Sequence, residues 1–196
     1  YNAIAVESIA KLQTNRDLMS AYAGKMGYSL ALAFDDVIAG YVDNFSNTVG
    51  ALAVELNPDD VLDAIQSLDD ADVPQNERYM VVSPAQAIAF LKYDRHVHKD
   101  YESVHGMVEG KPGLDRSYVT SILDVPIWKS TNVEGTNSAG HDNGLFHKEA
   151  VTAIMQMSPT SHSAFDIDYL ADKIVMEQVY GSSEQRDDHG VFAKGL

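Results

Sequence analysis

Seven histidines, 29 carboxylates and no cysteine set the chemistry open to this 196-residue chain. Without thiols there is no disulfide, no thiolate nucleophile and no cysteine-ligated zinc. His96-x-His98 would place two imidazoles on one face of a strand, as a metal ion requires, but no third ligand accompanies the pair. His141-Asp142-Asn143 with His147 sets imidazoles beside a carboxylate, the materials of a hydrolytic cluster. No nucleophile elbow goes with it, and polar loop residues beside a strand produce such strings often. Asp35-Asp36 and Asp166-x-Asp168 pair carboxylates in the way acid/base work or Mg²⁺ and Ca²⁺ would use. A solvated or inter-subunit charged face is the plainer reading of both. The phosphate-loop, dinucleotide and zincin spacings G-x-x-x-x-G-K-[ST], G-x-G-x-x-G and H-E-x-x-H are all absent. The sequence therefore assigns no catalytic residue, no cofactor and no metal ligand, and the expectation is a protein that is not an enzyme.

Charge narrows the partners. Against the 29 acidic side chains stand only 14 Lys and Arg, for a formal net charge of -15. A protein that grips phosphates lines up cations to displace counterions, and here the cations are few and scattered. A wall that repels DNA is compatible with such a balance. No apolar run approaches the roughly 18 residues a spanning helix needs, so no membrane is expected as partner. No leader is visible, and the chain opening at Tyr1 is expected to continue upstream. With 45% hydrophobic and 22% charged residues, the composition is that of a folded globular chain.

The elements that would position any site follow from spacing. Val6, Ile9, Leu12, Leu18, Tyr22, Met26, Leu30, Phe34, Ile38 and Tyr41 recur at helical intervals, which predicts one long helix from Val6 to Tyr41. At roughly 1.5 Å per residue it would run about 50 Å, longer than a small domain covers, so part of it should pack against something else. Ala21, Gly24, Gly27 and Ala31 give it a narrow face, open to another backbone or to a thin point of its own core. Asn57-Pro58-Asp59-Asp60 supplies a cap, a first-turn proline and two carboxylates, and starts a helix carrying Val61, Leu62, Ile65 and Leu68. Tyr79 to Val82 reads as a short strand, and Ser83-Pro84 opens a helix through Leu91. A strand feeding a helix there is also common in α/β hydrolases, the main alternative class.

Asp94 to Arg116 reads as a long projecting loop. Tyr118 to Leu123 and Val125 to Lys129 read as strands hinged at Asp124, a residue type that tolerates left-handed backbone. Glu134 to Gly144 reads as a polar loop, and Leu145 to Met157 as apolar strand or helix. Tyr169 to Val179 reads as strand ending in a Tyr180-Gly181 turn, with Val191 to Ala193 as a closing strand.

In this order the elements resemble the major capsid proteins of tailed bacteriophages, the Hong Kong 97 type, and particularly those of short-tailed phages. The resemblance spans nearly the whole chain. A long helix is followed by a capped helix (Pro58 to Leu68), a "VP..R" turn (Val73-Pro74 with Arg78), a strand and a proline-opened helix. Ile122, Asp124, Ile127 and Ser130 match the next phrase, with Asp124 where the family has glycine. Leu145 to Val151 echoes a later one. Asp172 to Val175, Val179-Tyr180-Gly181, Arg186 and Val191-Phe192 match the closing strands.

The resemblance implies an α+β fold with a spine helix, a peripheral domain and an axial domain. Residues 1–56 would hold the spine helix and part of the peripheral domain, with no N-terminal arm or extended loop; 57–157 would be the axial domain; 158–196 would be the returning strands of the peripheral domain. It implies a structural subunit that self-assembles through pentamers and hexamers into an icosahedral shell around DNA it does not bind specifically. Scaffolding, portal and decoration proteins are the further partners, and the virion assembled in a bacterial cytoplasm is the location. An encapsulin-like compartment shares the fold and is the second alternative. Asp17, Asp35, Asp36, Arg95 and Arg186 are the expected inter-subunit contacts, the acids meeting bases on adjacent copies.

Overall fold

The computed structural model describes residues 1–8, 18–92 and 117–196. The long loop expected over 94–116, the His96-x-His98 pair, Asp17 and Arg95 lie outside the described residues. The chain forms two compact units, one of residues 1–37 with 153–182 and the other of residues 38–152 with 183–196. These boundaries differ from those expected at 56/57 and 157/158. The last strand does not return to the unit of the long helix, because it is paired inside the larger sheet of the other unit.

In the first unit, β1 (Asn2–Glu7) pairs antiparallel with β9 (Ala171–Glu184), and β9 neighbours β8 (Val151–Asp166). The long helix α1 (Leu18–Ala39) follows β1. The expectation of helix from Val6 is corrected here: Val6 lies in a strand, opposite Asp172. Over residues 2–7 every second side chain is the more buried one, the period of a strand, and that alternation pairs with β9 across the whole segment. At the other end the helix stops at Ala39, and Tyr41 lies in the turn beyond it.

Met26 and Leu30 are the buried residues of α1. Four residues beyond Leu30, Phe34 meets the Tyr180 ring edge-on with centroids 4.9 Å apart. The Gln178 amide of the same strand donates to the Leu30 carbonyl at 3.0 Å. Thus the stripe at spacing four read from the sequence is the face this helix turns to β9. Tyr180 and Gly181, expected to turn, continue β9 instead, beyond the reach of β1, which ends opposite Met176, and on the side where β8 is the neighbour.

In the second unit, a seven-stranded sheet runs β2-β10-β7-β3-β5-β4, with β6 paired to β7 beside it. Its strands are β2 (Asn47–Gly50), β3 (Arg78–Val82), β4 (Tyr118–Ile122), β5 (Val125–Lys129), β6 (Gly135–Thr136), β7 (Gly140–His147) and β10 (Gly190–Gly195). Pairings β2/β10 and β3/β5 are parallel; β10/β7, β7/β3 and β5/β4 are antiparallel. The polar stretch expected to be a loop, Glu134 to Gly144, therefore contains strand. His141 to Gly144 pair with β10, Gly140 and His141 also with β6 and Gly144 also with β3, and a Cβ at Gly144 would lie 2.8 Å from the Val42 side chain, so glycine marks close packing there rather than a bend.

Helices α2 (Pro58–Asp70) and α3 (Pro84–Leu91) complete the core of this unit. Asn57 and Asp60 close a capping box around the start of α2, with the Asn57 N–H donating to the Asp60 carboxylate at 2.8 Å. Ser83 caps α3 by accepting from the Gln86 N–H at 3.1 Å. Val61, Ala64, Ile65 and Leu68 of α2, Ala87 and Phe90 of α3, Met80 and Val82 of β3, Ile127, Leu145 and Val191 form one buried cluster with Leu56. Leu123 and Asp124 both have positive φ, so β4 and β5 turn over a left-handed pair. Asp124 behaves as its residue type allows; Leu123 is carried along by the pairing of Ile122 with Val125. No helix among the described residues is long and apolar enough to cross a membrane.

Candidate functional site

Three kinds of surface or cluster offer themselves. The first is the outward side of α1. Tyr28 is 70% exposed and Val37 39%, on a helix with only two buried residues. Apart from the helix's own neighbouring backbone, no described atom lies within 4 Å of a Cβ built at Gly24 or Gly27, so among the described residues nothing packs on these two positions of the small-residue face. Asp35 and Asp36 are exposed on the same helix, and neither pairs with a described residue.

The second is the hairpin of β8 and β9. With 16 and 14 residues, these strands are far longer than the roughly five or six of an average strand. Among the described residues β8 has a neighbour on one side only, and Ile154, Met155 and Phe165 are exposed along it. Ile167, Tyr169 and Leu170, between 64% and 77% exposed, carry the apolar character round the turn. Asp166 of the Asp166-x-Asp168 pair caps that turn, accepting the Asp168 N–H at 3.1 Å, which fixes a local bend. Long exposed apolar edges are an aggregation hazard in a lone molecule and are normally covered.

The third is polar and buried. His141, read beside Asp142 and His147 as hydrolytic material, hydrogen-bonds the Asn137 side chain at 3.0 Å and the Glu134 carbonyl at 3.3 Å, a loop-closing role. Asp142 has its pKa raised, by burial first and then by the nearby carboxylates of Asp43 and Glu134, against the pull of His141 and Lys194. His147 lies at the far end of β7 and stacks edge-on with His189, centroids 5.5 Å apart. Burial pushes the His147 imidazole below its ordinary range and His189 acts the same way, while Glu149 opposes them. The structure therefore separates His141 from His147 and joins His147 to His189. Sequence reading missed that pairing, since nothing local links the end of β7 to the 3-10 turn Asp187–His189, about 40 residues on. Arg186, expected at a subunit contact, points its guanidinium at the His189 ring of its own unit, 3.1 Å away.

In the first unit a shallow pocket is lined by Ile4, Ala5, Val6, Glu7 and Tyr22, a mostly apolar set without a nucleophile and base in register.

No protein-family model and no curated protein matches this chain. Solved structures do. A chain of Mycobacterium phage Che8 superimposes with a TM-score of 0.79 at 23% identity, covering 98% of this chain and 68% of that one. The capsid of cyanophage P-SCSP1u gives 0.74 at 16% identity, covering 100% and 71%. The holo-SrpI encapsulin complex from Synechococcus elongatus PCC 7942 gives 0.73 at 14% identity, covering 100% and 72%. With spine helix, long hairpin and mixed seven-stranded sheet all matched across essentially its full length, this chain has the α+β Hong Kong 97 type fold of phage capsid proteins.

Proposed function

We propose that the chain is a major capsid protein of a tailed phage, a structural subunit that self-assembles into an icosahedral shell around DNA. The observation that carries this reading is the match of fold over 98–100% of the chain to phage capsid structures, joined to the uncovered apolar length of α1 and β8. Permanent shell contacts bury on the order of 2,000 Å² or more, and these two elements offer such an edge in a protein with no assigned catalytic group. In this reading the unit of α1, β1, β8 and β9 is the peripheral domain, and the unit of the seven-stranded sheet is the axial domain. Copies gather as pentamers and hexamers, and the net charge of -15 keeps the wall from gripping the enclosed genome. Scaffolding, portal and decoration proteins are the accompanying partners, and the host cytoplasm is the place of assembly.

The encapsulin match, nearly equal in TM-score to the cyanophage capsid, supports a second reading as a compartment around protein cargo. Negative-stain microscopy of particles made in a bacterial host, followed by nuclease treatment and extraction, separates the readings. Closed shells holding nuclease-protected DNA are expected. Closed shells holding one enriched protein would favour the compartment, and small discrete particles would end both.

Assembly should also depend on salt. Like-charged copies repel, so raising NaCl from low to about 0.5 M shortens the Debye length from tens of Å to a few Å and speeds assembly. Asp17, Asp35 and Asp36 are proposed to meet cations of neighbouring copies, with Arg95 and Arg186 as the basic residues proposed at subunit contacts. Asp36→Lys should lower shell yield several-fold while leaving the circular dichroism of the chain unchanged. Equal yields by light scattering would remove Asp36 from the interface.

A further inference from the structure

Two segments of the larger unit meet at one corner of its sheet. β7 ends at His147, and Lys148 to Ala150 reverse the chain into β8, closed by the Ala150 N–H donating to the His147 carbonyl at 2.9 Å. The returning chain is tied to the same reversal, because the Gln185 and Arg186 N–H groups both donate to the Ala150 carbonyl, at 2.8 and 3.2 Å. After the 3-10 turn Asp187–His189, the pairing of Gly190 with Phe146 brings His189 opposite His147. Both histidines are only 3% exposed, whereas Glu149 is exposed beside them. One ligating atom from each of His147, Glu149 and His189 lies within 4.8 Å of the others.

The unexplained atom at this corner is Nδ1 of His189. Arg186 Nη1 reaches Nε2 of that ring at 3.1 Å. A guanidinium only donates, so Nε2 accepts, and in the neutral ring the proton rests on Nδ1. That nitrogen is buried with no hydrogen-bond partner, the one such side-chain atom among the described residues. A buried donor left unpaired calls for a reason, and an ion is one of the recognised reasons. The ring of His147 is held only loosely, accepting the Glu149 N–H at 3.3 Å.

We propose that His147, Glu149 and His189 form a binding site for one transition-metal dication of the zinc type. Two imidazoles and one carboxylate suit Zn²⁺ or Co²⁺, whereas Mg²⁺ and Ca²⁺ select oxygen ligands. Ligand atoms around a tetrahedral zinc stand about 3.3 Å apart, given Zn–N distances of roughly 2.0–2.1 Å. Closing from 4.8 Å therefore needs movements on the order of 1 Å, which the exposed Glu149 side chain supplies most readily. On binding, Nδ1 of His189 gives its lone pair to the ion and the ring proton moves to Nε2. Asp188 Oδ2, 4.0 Å from Nε2, accepts that proton as a hydrogen bond, and Arg186 turns away. Three protein ligands leave a fourth position for water. The ion pins the 147–150 reversal to the 187–190 return, fastening together two segments distant in sequence.

Arg186 and the ion compete for the His189 ring, which gives the test its second arm. ZnCl2 is titrated calorimetrically into the full chain after chelator stripping and buffer exchange, and CoCl2 binding is followed by visible absorption. One ion per chain at micromolar or tighter Kd is expected, with tetrahedral cobalt bands and no heat from MgCl2. Glu149→Gln should weaken binding about ten-fold or more, and Arg186→Ala should strengthen it. Both residues are exposed, so neither substitution threatens the fold. Absence of zinc binding, or binding indifferent to both substitutions, overturns the site.

Discussion

Phe90→Ala should cost the larger unit about 3–5 kcal/mol, the usual range for deleting a buried phenylalanine ring. Phe90 is fully buried, and its ring fills the cluster where α3 meets α2 and the sheet, beside Leu68, Val82 and Ile127. Removing it loses the transfer free energy of the ring and leaves a cavity that these neighbours, fixed on three different elements, cannot close by local collapse. Domains are stable by only about 5–15 kcal/mol, so the variant gives up a large share of the total. Urea denaturation followed by circular dichroism should show the midpoint falling with little change in slope. Phe90→Leu, which keeps most of the volume, should lose much less. A Phe90→Ala loss below about 1 kcal/mol would mean the core repacks, contrary to the packing described.

Arg78→Met should be nearly as damaging, through polarity instead of volume. The Arg78 side chain is 2% exposed, and each of its three guanidinium nitrogens is engaged. Nε donates to the Pro74 carbonyl at 2.9 Å, Nη2 to the Val73 carbonyl at 2.6 Å, and Nη1 pairs with Asp69 at 2.7 Å. These groups belong to the turn that carries the chain from α2 to β3. With methionine, the two carbonyls lose their donor, and the buried Val73 carbonyl is shut off from water; Asp69, nearly half exposed, stays solvated. A loss of about 2–4 kcal/mol follows from one buried unsatisfied acceptor, a second lost hydrogen bond and a broken charge-assisted pair. Arg78→Lys should recover less than half of it, since one ammonium cannot reach three acceptors in the directions a planar fork does. Full recovery by lysine in thermal unfolding would show that charge alone matters at this position.

Much of the fold was legible because its signals are local. Asn57-Pro58-Asp59-Asp60 and Ser83-Pro84 start helices through caps and a fixed proline φ, which depend on residues within one turn. Asp124 marks a left-handed turn for the same reason. The stripe Met26, Leu30 and Phe34 names the inward face of α1, because side chains four apart share a face whatever lies beyond. Of the residues expected at a functional surface, Asp35 and Asp36 lie exposed on that helix, while Arg186 is turned toward His189. Exposure can be inferred from charge, but a partner within the same unit cannot.

By itself, then, the sequence determined where the two capped helices begin, which faces the helices bury, the absence of cysteine and the acidic balance of the chain. The tertiary structure alone decided that residues 2–7 pair as a strand, that Gly140 to Gly144 run inside a sheet, that β9 passes straight through Tyr180-Gly181, and that His147 faces His189. Each of these depends on hydrogen bonds or packing between segments far apart in the chain. A strand's backbone groups are satisfied only by another strand, so its place is fixed by a partner whose position no short stretch of residues encodes.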